Sequence, residues 1–156
     1  MELKKQNAPL KILLADDDKD DRFFFEKALK EIPIATKLIT VEDGEKLMNY
    51  LTENLEDLPD VLFLDLNMPR KKGSECLSEM KQNPKLKEIP VIIYSTSLHE
   101  EIATELYQNG AHYYLQKCDF TELPKIIEQV LSLLAENPKQ PSRDKFIVNM
   151  KNVPHS

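Results

Sequence analysis

The chain has 156 residues, 41% hydrophobic and 31% charged, with a formal net charge of -6. That length and mixture suit one globular domain with a real core. The acidic balance argues against nucleic acid as a partner, and no apolar run nears the ~20 residues that span a bilayer.

The N-terminal stretch MELKKQNAPLK lacks the apolar core of a signal peptide. A cytoplasmic protein, away from the membrane, is therefore expected. Cys76 and Cys118 have no metal-ligand spacing. They fit a reducing compartment and read as buried or half-buried thiols.

The first apolar run, Lys11 to Ala15, is short and continuous and reads as a buried strand. Acidic residues follow it at once. Asp18 can cap the next helix, and Asp20 and Asp21 suit its positive N-terminal end. That helix carries Phe24, Phe25, Ala28, Leu29 and Ile32 inward, and Pro33 breaks it. Thr36–Val41 reads as a second strand. Asp43 to about Asn54 reads as a helix with Leu47, Met48, Leu51 and Leu55 inward. After Pro59, Asp60–Asp65 is the third and most apolar strand. Pro69 and Gly73 punctuate a loop before a short helix, Ser74 to about Lys81.

Pro90 opens a fourth strand, Val91–Ser95. Glu100–Gln108 reads as a helix stopped by Asn109 and Gly110. Ala111–Lys117 reads as a fifth, less hydrophobic strand. The last helix has the clearest three-four pattern: Leu123, Ile126, Ile127, Val130, Leu131 and Leu134. Strands alternating with helices, on links of this length, predict an open, doubly wound parallel α/β sheet with helices on both faces. From residue 138 the composition turns polar around one apolar cluster, Phe146 to Val148. A disordered C-terminal tail, 138–156, is the first expectation. Docking of this segment on its own domain or on a partner is the second.

Ligands of such sheets bind beyond the carboxyl ends of the strands. Those ends deliver Asp16 and Asp17, Asp65, Ser95 and Lys117 to one edge. Each has an ordinary reading as a cap, a turn residue or a solvated strand end. The combination does not, because burying any one of these groups alone is costly. Three carboxylates form a hard oxygen site that suits Mg²⁺. A carboxylate beside Mg²⁺ can attack phosphorus. Lys117 supplies a mobile point charge and Ser95 a hydroxyl donor.

These motifs resemble the receiver domain of two-component response regulators. ILLADDD matches the acidic pair after the first strand, and LFLDLNMPRKKG matches the phosphoacceptor loop. VIIYST matches the switch-hydroxyl strand, and YYLQK the end of the fifth strand. The resemblance implies a flavodoxin-like five-stranded sheet in the order 2-1-3-4-5, with the receiver domain over 9–137. Asp65 would accept a phosphoryl group from a sensor histidine kinase. Asp17, Asp65 and the Asn67 backbone carbonyl would hold Mg²⁺ directly, with Asp16 reaching it mainly through water. Ser95 and Lys117 would bind the acyl phosphate. Tyr114 would be the aromatic switch, and the helix Glu100–Gln108, the fifth strand and the last helix the output surface.

One residue departs from the family pattern: Cys118 follows Lys117, where the family usually has proline. A cis bond before a non-proline costs ~3 kcal/mol, so a trans bond is expected unless the site is strained. Stand-alone receivers partnered with phytochromes share this departure and the long loop before the third strand, which points to a phytochrome-like kinase. The expected protein is thus a single-domain response regulator, a switch and not a turnover enzyme, acting on a downstream protein target. Tyr107, Tyr113 and the last helix offer a surface for a homodimer.

The alternatives are weaker. A haloacid-dehalogenase-type phosphatase wants a second acid two positions after Asp65, where Asn67 stands. A flavodoxin wants donors after the first strand, where acids stand. A receiver-like interaction module that works without phosphorylation is the remaining alternative.

Overall fold

The computed structural model describes residues 8–149. In chain order the elements are β1 (Leu10–Ala15), α1 (Lys19–Leu29), β2 (Thr36–Val41), α2 (Gly44–Glu53), β3 (Val61–Leu64), α3 (Gly73–Lys81), β4 (Val91–Ser95), α4 (Glu100–Gln108), β5 (Tyr113–Gln116) and α5 (Leu123–Glu136). A 3₁₀ turn (Arg143–Lys145) and a two-residue strand, β6 (Ile147–Val148), follow. All neighbouring strands pair in parallel, in the order β2-β1-β3-β4-β5-β6. This is the flavodoxin-like α/β fold, with one short strand added at its edge.

The continuous apolar runs become the strands covered on both faces. Every residue of β1, β3 and β4 is buried, whereas β2, at the edge, is mixed. The two-residue strand period divides them between two cores. Ile12, Leu14, Phe63 and Tyr94 pack with Phe25 of α1 and with the inner row of α5. Leu13, Leu64 and Ile93 pack with Leu47 and Leu51 of α2, Leu77 and Met80 of α3, and Leu106 of α4. Cys76 lies in that second core, where burial pushes its thiol up to about 12. It is a buried thiol, as expected.

The disordered tail expected from residue 138 is corrected over its first part. The chain turns back and β6 pairs with β5, setting Tyr114 opposite Ile147 and Leu115 opposite Val148. Phe146 is fully buried against Tyr107 and Tyr114. Its carbonyl accepts from the Tyr114 amide at 2.9 Å. The Tyr107 hydroxyl donates to the Pro141 carbonyl at 2.7 Å, and Arg143 reaches Glu100 at 2.9 Å. Two gains drive this docking: a phenylalanine leaves water, and β5 is no longer a bare edge strand. The same segment covers part of the surface expected for a homodimer: Tyr107 is half-buried under it, while Tyr113 is buried in the core with α5. The remainder of the tail, 150–156, lies outside the described residues. Among the described residues no helix is long and apolar enough to cross a membrane.

Candidate functional site

The site lies where the strand order reverses, in the crevice between the carboxyl ends of β1 and β3. Ladder bonds that run past the strand ends hold its residues. The Asp16 amide donates to Val41 at 3.1 Å, the Asp65 amide to Ala15 at 2.9 Å and the Lys117 amide to Ser95 at 2.7 Å. Asp18 caps α1 as expected: its Oδ1 accepts from the amides of Asp20 at 2.8 Å and Asp21 at 3.1 Å. Asp16 is buried, with 0% exposure, while Asp17 is exposed.

The loop after Asp65 needs two close backbone approaches. A Cβ on Gly73 would sit 2.2 Å from the Asp65 carbonyl, and one on Gly44 would sit 2.0 Å from the Lys71 carbonyl. Arg70 adopts φ 70°, a conformation seldom used outside glycine. Its Nε lies 3.4 Å from Asp43 Oδ2, which ties the loop to the start of α2.

Asp16, Asp17 and Asp65 bring carboxylate oxygens within 4.8 Å of one another. Asp16 Oδ1 accepts from the Asp18 amide at 2.9 Å, and Oδ2 lies 2.8 Å from Lys117 Nζ. Asp65 Oδ1 accepts from the amide of the exposed Asn67 at 3.3 Å. Its Oδ2 is 3.6 Å from Lys117 Nζ, too far for a hydrogen bond. Burial pushes the Asp65 carboxyl up to about 6, against the pull of Lys117 and with the help of Asp16 and Asp17. Burial also raises Asp16, against its bonds to Lys117 and Asp18. For Lys117, burial opposes the charge, but hydrogen bonds to Asp16 and Asp21 outweigh it and raise the ammonium.

These acids outnumber the one ammonium among them. The donor set is all oxygen, and buried carboxyls with raised pKa values gain from a divalent cation. The residues therefore fit a hard metal such as Mg²⁺.

Ser95 and Tyr114 complete the edge. The Ser95 hydroxyl is fully buried and makes no well-formed hydrogen bond, with the Tyr114 hydroxyl beside it. Such an oxygen is costly to leave alone, and it is suited to an incoming acceptor. Tyr114 is turned inward, 1% exposed, and its hydroxyl donates to the Ser97 carbonyl at 2.5 Å. The Lys117–Cys118 peptide is trans, as expected without proline.

Sequence reasoning missed one site residue. By its position Asp21 suits only the helix dipole, yet its Oδ2 lies 2.8 Å from Lys117 Nζ. No local pattern signals this contact, because the partners are 96 residues apart.

Fold and site together define a class: a doubly wound α/β protein with an acidic, oxygen-only cluster and a half-buried lysine at its topological switch. The response regulator receiver domain model matches residues 12–128, and the chain belongs to that family. Response regulator Rcp1 of Synechocystis is 35% identical over 143 residues, which cover 88% of this chain and 97% of that protein. The crystal structure of the Mn²⁺-bound form of Rcp1 superposes with a TM-score of 0.73, covering 86% of this chain and all of that one. The phosphorylated cyanobacterial phytochrome response regulator RcpA is 32% identical at a TM-score of 0.73, covering 84% of this chain and 96% of its own.

Proposed function

We propose that Asp65 is the phosphoacceptor of a single-domain response regulator and takes its phosphoryl group from a sensor histidine kinase. One Asp65 carboxylate oxygen forms the new O–P bond. The P–N bond of the donor phosphohistidine breaks, and its electron pair returns to the imidazole, which then takes up a proton. A raised carboxyl near 6 is still mostly ionised at neutral pH, and it is more basic than a free aspartate. Both properties favour attack. Bound Mg²⁺, held by Asp16, Asp17, Asp65 and the Asn67 carbonyl, would neutralise charge on the transferring group.

The chain's own residues do the rest. Lys117 balances charge on the phosphoryl oxygens, and the Ser95 hydroxyl donates to one of them. The inward Tyr114 links Ser95 to the surface of α4 and β5, where a downstream protein would read the state. Phosphorylation then shifts an existing two-state equilibrium, and hydrolysis of the acyl phosphate resets it. Mn²⁺-bound Rcp1 and phosphorylated RcpA support this reading, and similarity to RcpA, a cyanobacterial phytochrome response regulator, supports a phytochrome-like kinase. A reducing, cytoplasmic setting suits both free thiols.

The observation that carries the proposal is the cluster of Asp16, Asp17 and Asp65 carboxylate oxygens within 4.8 Å of one another, with Lys117 Nζ 3.6 Å from Asp65 Oδ2. Intact mass after incubation with Mg²⁺ and acetyl phosphate tests it. Wild type gains one phosphoryl mass, chelator abolishes the gain, and Asp65→Asn shows none. A folded wild type that gains no mass from acetyl phosphate or from a histidine kinase points instead to an interaction module that works without phosphorylation.

A further inference from the structure

One acid at the site has no part in the mechanism above. Asp21 lies in the first turn of α1, placed by the Asp18 cap that its own amide joins. Its Oδ2 is 2.8 Å from Lys117 Nζ, as close as Asp16 Oδ2 at 2.8 Å. Asp65 Oδ2, the neighbour that Lys117 would serve, is at 3.6 Å. The ring of Tyr94 lies 5.1 Å from the same nitrogen. An ammonium has three donors and one charge. Here two acids hold it, and it stands just short of the third.

We infer that Asp21 is a positioning residue for Lys117, holding the ammonium away from Asp65 until a phosphoryl group draws it off. The inference rests on the reading of Asp65 as phosphoacceptor. Before transfer, the hold leaves both Asp65 oxygens uncovered by the lysine, so either can attack. After transfer, the phosphoryl oxygens compete with Asp21 for the charge of Lys117. Asp21 therefore opposes the phosphorylated state, and removing its charge should favour that state. Asp20 provides the control. It carries the same charge one residue away in the same turn, but it is exposed and pairs with the Asp18 cap through its backbone only.

The experiment compares wild type with Asp21→Asn, Asp20→Asn and Asp21→Glu, each checked for an unchanged melting temperature. The first readout is the ¹⁵N spectrum of the Lys117 ammonium without any phosphoryl donor. Asp21→Asn should shift or broaden it, Asp20→Asn should not, and Asp21→Glu should restore it. The second is half-saturation by beryllofluoride, a phosphoryl mimic, in Mg²⁺. Asp21→Asn should bind about fivefold tighter, the scale of a partly exposed ion pair. Asp20→Asn should stay within about twofold, and Asp21→Glu should return to the wild-type value. Equal tightening in Asp20→Asn and Asp21→Asn overturns the inference, since bulk charge then explains it. So does weaker binding in Asp21→Asn, or an unmoved ammonium signal. A wild type that binds no beryllofluoride and accepts no phosphoryl group overturns the phosphoacceptor reading, and the inference with it.

Discussion

Replacing Asp65 by asparagine should stabilise the metal-free protein at neutral pH. The Asp65 carboxyl rises from 3.8 to about 6 on folding, chiefly through burial. Its folded value is raised, so its contribution to stability is fully present below about 3.8 and is lost as pH rises through about 6. Above that window the ionised carboxylate costs the fold up to about 3 kcal/mol, at ~1.4 kcal/mol per pKa unit. Asparagine removes the charge and keeps an oxygen to accept from the Asn67 amide, which now bonds Oδ1 at 3.3 Å. The pull of Lys117 is already contained in that figure, and desolvation of the asparagine amide offsets part of it, so a net gain of about 2 kcal/mol is expected. For a chain of this size that raises the melting temperature by about 4–8 °C.

Calorimetry in chelator at pH 7.5 and pH 4.5 tests the reasoning. The advantage of Asp65→Asn should fall to about a third at the lower pH, where the wild-type acid is protonated in the fold. His112 slopes the other way, because burial lowers it to about 4 and its contribution is lost as pH falls from its ordinary 6.5. It is common to both proteins and cancels in the difference. Saturating Mg²⁺ should stabilise the wild type more than the variant and close the gap. An Asp65→Asn protein that is less stable at pH 7.5, or an advantage that does not change with pH, would refute the reasoning.

Three further outcomes are expected. Ser95→Ala removes a buried hydroxyl that makes no well-formed hydrogen bond, so urea unfolding should show equal or higher stability, by up to about 1 kcal/mol, while phosphoryl uptake falls roughly tenfold for want of a donor. Phe146→Ala empties a fully buried ring site and should cost about 3 kcal/mol, with the Tyr114 amide losing hydrogen-exchange protection because its acceptor is the Phe146 carbonyl. Gly73→Ala puts a Cβ 2.2 Å from the Asp65 carbonyl, so intact-mass assays should show strongly reduced phosphoryl uptake even where circular dichroism shows a folded protein.

Much of this molecule is legible in the sequence because its signals are local. Lys11–Ala15, Asp60–Asp65 and Val91–Ser95 are apolar runs that only a strand covered on both faces explains. Asp18 caps α1 because its position before an apolar-periodic segment leaves little else for it to do. The site follows, since the ends of those strands must share one edge.

What escaped depends on distant partners. β6 has two residues and no period of its own, and its signal is the buried contact of Phe146 with Tyr107 and Tyr114. Asp21 satisfies a local rule at the helix start, and that hid its bond to Lys117 across the sheet edge. The β5 boundary also lies later, at Tyr113–Gln116, because the Ala111 amide still closes the end of α4 on the Leu106 carbonyl and only the His112 amide reaches β4, at Val91.

The most direct test of the central claim is to trap the modified residue itself. The wild type, treated with Mg²⁺ and acetyl phosphate, is reduced with borohydride, which converts an aspartyl phosphate to homoserine, and its peptides are sequenced by mass spectrometry. Homoserine is expected at position 65, with unmodified aspartate at 16, 17 and 21. Homoserine at any of those other positions, or none at 65 in a sample whose intact mass has risen, would contradict it.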